Sequence, residues 1–289
     1  MHYYEKLNDA SVIHRIPKQS PFVQGDLAFQ EVVDTDEPVI EQVINYYSEI
    51  LVSSHKAIDF LRQRGVTDPN AISSFRLGFA DRTLGLRLQS LGRRQEDLSR
   101  GALQRSGLLK PSGHEFFRGA IVFPFFNNDG RVVGAYGRRI TPKLKASSVY
   151  HVHWFSEDTL FFNGTVINQY DQVIMCKTPL EALVWWCAGF KYVFALMGKS
   201  TFNAQHLHAL KVSSTRDLYI AFGSSSNDLA ESYRIAEQVS NVGINCRFIL
   251  YPNGMDASTF STSVTSPESA FSELIDRALQ LPFSSETKH

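Results

Sequence analysis

The sequence has few cysteines, no long apolar run and no excess of charge of either sign. Its three cysteines, Cys176, Cys187 and Cys246, each lie in an apolar stretch, and no two of them form a Cys-x-x-Cys pair. This spacing supports neither a disulfide framework nor a zinc ribbon. We expect three buried thiols, because free cysteine packs as a small hydrophobe.

No apolar run is long enough to span a bilayer, and residues 1–20 contain no apolar segment typical of a signal peptide. The sequence therefore predicts a cytoplasmic protein with no membrane partner. Lysine plus arginine and aspartate plus glutamate number 29 each, so the formal net charge is zero. This balance speaks against a uniformly basic nucleic-acid-binding protein and leaves room only for a local basic patch.

The length and composition indicate a globular protein with two domains. The chain has 289 residues, of which 43% are hydrophobic and 20% charged, enough for a sizeable core and too apolar for wholesale disorder. We expect an irregular N-terminal arm over residues 1–37, a first domain over 38–165, a second over 166–265 and a C-terminal helix or tail over 266–289.

The first domain reads as helices followed by a β-hairpin. Apolar residues recur at helical spacing over 39–53, and further short helices are expected over 57–80 and 84–107. From Phe116 the period changes to that of strands, and Asn127–Gly130 (N-N-D-G) is a strong hairpin turn because Asn and Gly tolerate positive φ.

The second domain reads as buried strands that alternate with helices. The apolar runs at 171–176, 192–197, 218–223 and 248–251 are each separated from the next by a turn and a helical segment. This alternation predicts a parallel sheet flanked by helices.

Both halves resemble the catalytic core of DnaG-type bacterial primases. That family has Y-L-x-x-R-G, then F-x-L-G-Y-A, then R-x-R-I-M-F-P-I-x-D-x-x-G-R-V-I-G-F-G-G-R, and this chain has Phe60–Gly65, Phe75–Ala80 and Arg118–Arg138 in the same order. Residues 171–256 resemble the family's Toprim domain. The resemblance covers roughly 39–265, and it implies an α/β fold in which a primase-like α+β subdomain precedes a Toprim-like parallel sheet flanked by helices. The family's zinc-binding module and its later helical domains have no counterpart in this sequence.

The resemblance also implies a metal site from which the acids have been lost. In the Toprim family the first strand ends in E-G-x-x-D-A-L and the third in F-D-x-D, and these acids hold Mg²⁺. Here Lys177 stands at the Glu position, and Gly223 and Ser225 stand at the two Asp positions. A cation and two uncharged residues lack the hard oxygen ligands that Mg²⁺ requires, so we expect no catalytic metal and no cofactor.

Three nearby acids leave an alternative open. Glu181 matches the Asp of the family's first motif by position, and Asp228 and Asp256 follow the later strands. Together they would bind one Mg²⁺ and support an active DNA primase, a nucleotidyltransferase. The simpler interpretation is that Glu181 and Asp228 lie at helix N-termini, where the macrodipole favours acids.

The same strand ends suggest a second alternative, an anion site. Lys177 and Lys199 are cationic, and Gly223–Asn227 (G-S-S-S-N) is a small turn before a helix, whose backbone N–H groups would cradle a phosphate. The turn lacks the Gly-Lys-Ser/Thr of a P-loop, and a flexible turn explains it equally well.

Basic residues around the hairpin are the candidates for binding single-stranded nucleic acid. In the family the corresponding ridge guides the template, and Tyr136 or the run Tyr150–Trp154 would provide stacking faces. The simpler interpretation is that these basic residues lie on a solvent-facing strand, where Arg and Lys are common, and bind nothing. The candidates are Arg118, Arg131, Arg138, Arg139, Lys143 and Lys145.

The sequence as a whole predicts a catalytically inactive primase-like protein. Its expected partner is single-stranded DNA, or another protein, in a DNA replication, mobile-element or defence assembly. For a protein partner, we expect the aromatic residues of Trp154–Phe162 to form the exposed surface. The alternative is the active primase that uses Glu181, Asp228 and Asp256.

Overall fold

A computed structural model describes residues 4–7, 11–15, 36–141, 149–155, 160–197 and 202–280. The chain divides into two compact units. The first comprises Met1–Phe60 and Pro69–Thr159, and the second comprises Leu61–Asp68 and Leu160–His289. The domain bounds expected from the sequence stay a prediction.

The first unit is built on a six-stranded sheet in the order β1-β2-β6-β5-β4-β3. Strand β2 pairs in parallel with β6, and the other neighbours are antiparallel. The strands are β1 (Tyr4–Leu7), β2 (Ser11–Arg15), β3 (Gly78–Phe79), β4 (Ala120–Phe126), β5 (Val132–Arg139) and β6 (His151–Phe155).

Two of these strands correct the prediction of an irregular arm over residues 1–37. Strands β1 and β2 form a ladder with each other, and β2 continues the sheet beside β6. The β2–β6 pairing joins segments more than a hundred residues apart, so no local sequence pattern predicts it.

The predicted hairpin is confirmed as β4 and β5. The Asn127 side chain accepts hydrogen bonds from the backbone N–H groups of Asp129 and Arg131, both at 3.0 Å. Gly130 has a φ of +76°, a conformation that glycine adopts without steric cost. The turn chemistry therefore fixes the register of the two long strands.

The helices described in the N-terminal half follow the helical periods of the sequence. They confirm the predicted helical segments, and residues of three of these helices pack with β4 to β6 in a core that includes Val43, Leu103, Phe117 and Trp154. The Trp154 indole N–H donates to the Ser106 carbonyl at 2.7 Å. The helices are α1 (Asp36–Ser53), α2 (His55–Gln63), α3 (Pro69–Ser74), α4 (Leu84–Gln89) and α5 (Arg93–Arg105).

The burial of Trp154 contradicts the expected surface of exposed aromatics over Trp154–Phe162. Trp154 is 0%, Phe161 6% and Phe162 1% exposed. Trp154 lies on β6, between β5 and β2, where one face packs on the helices. These three aromatic residues therefore cannot form the expected protein-binding surface; Phe155 is half-buried, and residues 156–159 lie outside the described residues.

The second unit contains a five-stranded sheet in the order β11-β10-β9-β7-β8. Strands β7 to β10 are parallel, and β11 is antiparallel to β10. The strands are β7 (Gln172–Cys176), β8 (Val193–Ala195), β9 (Asp217–Ala221), β10 (Asn245–Phe248) and β11 (Leu279–Gln280).

Helices alternate with these strands as the sequence predicts. Both faces of the sheet are covered, which explains why β7 reads as an unbroken apolar run, Val-Ile-Met-Cys. The helices are α6 (Val166–Gln169), α7 (Pro179–Cys187), α8 (Ala204–Lys211), α9 (Ser226–Ser240), α10 (Ala257–Ser263) and α11 (Pro267–Asp276), with a 3₁₀ turn at Pro252–Gly254.

The cysteines are free thiols, as predicted. Cys176 and Cys246 are buried as expected, whereas Cys187 is half-buried, so the prediction of burial is wrong for Cys187. Burial raises the pKa of all three thiols, so they stay protonated at neutral pH and are poor nucleophiles. None of the described helices is both long and apolar enough to cross a lipid bilayer.

Candidate functional site

The first candidate site lies where β7 and β9 end. These strands are parallel neighbours with Cys176 opposite Ala221, so the residues that follow them emerge at the same edge of the sheet. Lys177 follows β7 directly, and the turn from Gly223 to Ser225 leads from β9 into α9. This edge is where open parallel sheets place their ligand-binding groups.

An ion pair joins the two strand ends. The Lys177 ammonium Nζ lies 2.8 Å from Oδ1 of Asp228, and the two side chains are 19% and 9% exposed. Asp228 is the third residue of α9, where the helix macrodipole also favours its charge. The pair is largely desolvated, so each charge depends on the other.

Ser225 binds the other carboxylate oxygen of Asp228. Its Oγ donates to Oδ2 at 2.6 Å and accepts from the Asp228 backbone N–H at 3.2 Å, which makes Ser225 the N-cap of α9. A Cβ built on Gly223 would lie 2.7 Å from that same Oδ2. The Asp228 carboxylate therefore fills the space that a side chain at position 223 would need.

The same contacts bear on the phosphate-cradle interpretation of Gly223–Asn227. The N-terminus of α9 already faces an anion, the Asp228 carboxylate, and Lys177 is paired with it. Because the Asp228 carboxylate already lies at the N-terminus of α9, these contacts argue against a phosphate site at this turn. Lys199, the second cation of that hypothesis, lies outside the described residues.

Glu181 is buried in a capping box at the start of α7. Its carboxylate accepts from the Thr178 backbone N–H at 3.2 Å, and the Thr178 hydroxyl accepts from the Glu181 N–H at 3.4 Å. Burial raises the pKa of Glu181 to about 7, against the opposing effect of Lys177 and with smaller contributions from Asp256 and Asp228. Glu181 is therefore partly protonated at neutral pH.

Lys177 is charged under the same conditions. Burial alone would lower its pKa, but the carboxylates of Glu181, Asp228 and Asp256 outweigh this effect and the pKa is raised. Asp256 caps α10 by accepting from the Thr259 backbone N–H at 2.7 Å. The three acids and the lysine thus form one electrostatic cluster, in which each acid also serves a helix N-terminus.

The acids of this cluster do not converge as metal ligands do. Each carboxylate is turned towards the N-terminus of its own helix, α7, α9 or α10. Across the described part of the chain, no three His, Cys, Asp or Glu side chains lie together in a way that could hold a metal ion.

The basic candidates of the first unit do not share one sheet face. Arg138 and Arg139 are consecutive on β5, so their side chains point to opposite faces. Arg138 lies opposite His151 on β6, whereas Arg139 lies opposite Ala120 on β4. The expectation of a single ridge is corrected accordingly.

Arg138 lies beside two aromatic rings. Its Nη1 is 2.9 Å from His151 Nε2, and its guanidinium carbon lies 5.0 Å from the centre of the Tyr150 ring. Arginine can only donate, so Nε2 of a neutral His151 accepts and its Nδ1–H donates to the Tyr136 hydroxyl at 2.7 Å. Tyr150 is 41% exposed and Tyr136 only 1%, so Tyr150 alone of the two presents a stacking face.

The other basic candidates are dispersed. Arg118 and Arg131 are exposed, but Arg131 follows the turn at the far end of the hairpin, roughly 23 Å from Arg138 along β5. Lys143 and Lys145 lie outside the described residues. Sequence reasoning missed Lys110 and Arg82, which lie near Arg118 and Arg139 only through the fold.

The two sheets and their helices have the architecture of a primase catalytic core. Residues 46–164 match the family model of the DNA primase catalytic core, N-terminal domain. The chain is similar to the DNA primase of Staphylococcus epidermidis, with 26% identity over 231 residues that cover 75% of this chain and 38% of that protein. It spans about two fifths of the length of the curated relatives it matches.

Solved structures show the same fold. The Aquifex aeolicus primase, comprising zinc-binding and RNA polymerase domains, aligns with a TM-score of 0.73 and 20% identity over 89% of this chain and 64% of that one. The DnaG primase catalytic domain bound to single-stranded DNA aligns with a TM-score of 0.69 and 18% identity over 87% and 81%. The resemblance to the DnaG core and the α/β fold class predicted from the sequence are confirmed.

Proposed function

We propose that the protein is a primase-like DNA-binding protein without nucleotidyl transfer, which holds single-stranded DNA in a replication, mobile-element or defence assembly. The observation that carries the proposal is the 2.8 Å ion pair between Lys177 and Asp228. It joins the ends of two parallel strands, the edge at which a Toprim-like domain would carry its catalytic metal.

The residues at this edge do not fit a divalent cation. Mg²⁺ takes hard oxygen ligands in octahedral geometry, but both oxygens of Asp228 already bind Lys177 and Ser225. A divalent ion roughly 4 Å from the ammonium would meet a repulsion of about 8 kcal/mol at an effective dielectric constant near 20. The Lys177 ammonium supplies the positive charge in place of a metal.

DNA binding is supported by the likeness to the DnaG domain bound to single-stranded DNA and by the group around Arg138. A guanidinium next to the exposed Tyr150 ring provides one phosphate contact and one stacking face, the combination that sequence-tolerant binding of single strands uses. A protein partner is less well supported, since three of the aromatic residues expected to bind it, Trp154, Phe161 and Phe162, are buried.

Fluorescence anisotropy with a labelled single-stranded oligonucleotide tests the binding. We expect affinity that falls with salt, is unchanged by EDTA, and has a salt slope lower by about one in Arg138→Gln. Arg277→Gln is the matched control, because Arg277 is exposed at the C-cap of α11 and pairs with Glu273 of that helix. Equal affinities for the two variants would refute the assignment of Arg138.

Primer synthesis on a single-stranded template with Mg²⁺ or Mn²⁺ tests the loss of catalysis. We expect no product from the purified protein. Product that disappears in Glu181→Ala would instead establish the active primase built on Glu181, Asp228 and Asp256.

A further inference from the structure

A cavity lies among three helices of the first unit, α1, α4 and α5. It measures about 310 Å³. Its floor is buried and mainly apolar, whereas its rim is exposed and mainly polar. The floor includes Val43, Leu84, Leu88 and Ser99, and the rim includes Glu49 and Arg87.

Hydrogen bonds hold the walls of this cavity in place. The buried Glu115 carboxylate accepts from the Tyr47 hydroxyl of α1 at 3.2 Å and from the Leu84 N–H of α4 at 3.0 Å. The Tyr46 hydroxyl bonds to the hydroxyl of Thr83, the residue before α4. The site is therefore preformed, and a ligand can bind without first ordering the helices.

Ser99 brings an unsatisfied hydroxyl to the cavity floor. Ser99 is 2% exposed, and its Oγ has no hydrogen-bond partner among the described residues. A serine inside a helix commonly bonds the carbonyl one turn earlier, and a buried hydroxyl without a partner costs free energy. Because Ser99 borders the cavity, a polar group of a bound molecule can supply the missing partner.

The rim of the cavity carries one charge of each sign. Glu49 lies on α1 and Arg87 on α4, and both side chains are exposed. Neither forms an ion pair with another residue in the described part of the chain. Opposite charges on the two sides of one opening match a ligand that carries both, because a purely anionic or cationic ligand would be repelled by one of them.

The volume suits one aromatic ring with a short head group. A protein cavity of about 150 Å³ holds a benzene molecule, and small-molecule sites begin at about 300 Å³. At about 310 Å³, this cavity has room for a ring and a few further atoms. The apolar floor suits the ring, and the rim suits the charged groups.

We propose that the cavity binds a small aromatic zwitterion, a free α-amino acid of the tyrosine class. The ring packs on the apolar floor, and the phenol hydroxyl bonds to the Ser99 Oγ, as a buried tyrosine ring requires. The carboxylate pairs with Arg87 and the ammonium with Glu49 through charge-assisted hydrogen bonds. The site does not rest on the proposed DNA binding.

Saturation-transfer NMR titrations of the full chain test the proposal, with L-tyrosine, tyramine and phloretate as probes. Tyramine lacks the carboxylate of tyrosine and phloretate lacks its ammonium, so each reports on one charge of the rim. We expect saturable binding of L-tyrosine, weakened about fivefold in Arg87→Gln and in Glu49→Gln. Arg87→Gln should not weaken the binding of tyramine, and Glu49→Gln should not weaken that of phloretate.

A comparison of two amino acids tests the role of Ser99. In Ser99→Ala, L-tyrosine should bind about fivefold more weakly, whereas L-phenylalanine, which has no ring hydroxyl, should bind as before. An equal loss for both would contradict the contact with Ser99. Arg94→Gln is the matched control for Arg87→Gln, because Arg94 is exposed on α5 but does not border the cavity. It should bind every probe like the wild type.

Three results would overturn the proposal. One is the absence of saturable L-tyrosine binding. Another is L-tyrosine binding that is equal in the wild type, Arg87→Gln and Glu49→Gln. The third is binding of N-acetyl-L-tyrosinamide as tight as that of L-tyrosine. Since this probe carries neither charge, the cavity would then take a tyrosine side chain of a partner protein instead of the free amino acid.

Discussion

The ammonium of Lys177 and the carboxylate of Asp228, 51 residues apart in the chain, meet at 2.8 Å where β7 and β9 end. The contact places a fixed positive charge between two strand ends. It explains how a sheet with Lys177, Gly223 and Ser225 at these strand ends can bury the side chain of Asp228.

Removal of the lysine charge should destabilise the protein. In Lys177→Met, Asp228 stays buried without its partner, and we expect the free energy of unfolding to fall by about 3 kcal/mol. Urea unfolding at pH 7 measures this loss. Lys211→Met, at an exposed site on α8, is the control and should change stability by less than about 0.5 kcal/mol. Equal losses in the two variants would show that the ion pair contributes nothing.

Glu181 should make stability depend on pH. Its folded pKa of about 7 lies above the usual 4.5, so between these values the folded state holds a proton that the unfolded state releases. Stability is therefore lost as the pH rises from about 4.5 to 7, by up to about 3 kcal/mol. Glu181→Gln should remove this slope.

Urea unfolding of wild type and Glu181→Gln at intervals from pH 5 to pH 8 measures the difference. Groups common to both proteins cancel, so the wild type should lose stability relative to the variant until about pH 7 and then run parallel to it. Parallel curves across the whole range would contradict the shifted pKa of Glu181.

Gly223 should tolerate no side chain while Asp228 is present. A Cβ would lie 2.7 Å from Asp228 Oδ2, and that oxygen is held by Ser225. We expect Gly223→Ala to cost about 1–3 kcal/mol. The loss should shrink in an Asp228→Ala background, because the obstructing carboxylate is gone.

Gly85→Ala is the matched control for that double-mutant cycle. Gly85 lies in α4, and a Cβ there would have no described neighbour within 4 Å. Alanine is also the better helix former, so stability should stay equal or rise. If the loss in Gly223→Ala is the same with and without Asp228, the two positions do not compete for space.

Much of the fold was predictable because its signals are local. Turn residues such as Asn127 and Gly130 predicted the hairpin. Apolar runs separated by segments of helical periodicity predicted the parallel sheet. The place of β1 and β2 in the sheet was not predictable, since β2 joins the sheet through β6, a distant segment of the chain. The exposure predicted for Trp154 was wrong because the sequence does not show which face of the sheet the helices cover.

The candidate site was predictable only in part. The sequence located Lys177 at a strand end, but nothing local identified Asp228 as its partner, because a salt bridge across two strands is set by the sheet order. The same limit applied to Arg82 and Lys110, which join Arg118 and Arg139 through tertiary structure. Consecutive strand positions did imply that Arg138 and Arg139 face opposite ways.

Direct titration of the protein with Mn²⁺, followed by the electron paramagnetic resonance of the free ion, tests the central claim most directly. Mn²⁺ takes the same oxygen ligands as Mg²⁺. Because the Lys177 ammonium is bound to Asp228, we expect no saturable Mn²⁺ binding that depends on Glu181, Asp228 or Asp256. Stoichiometric binding in the wild type that is lost in Glu181→Ala or Asp256→Ala would contradict it.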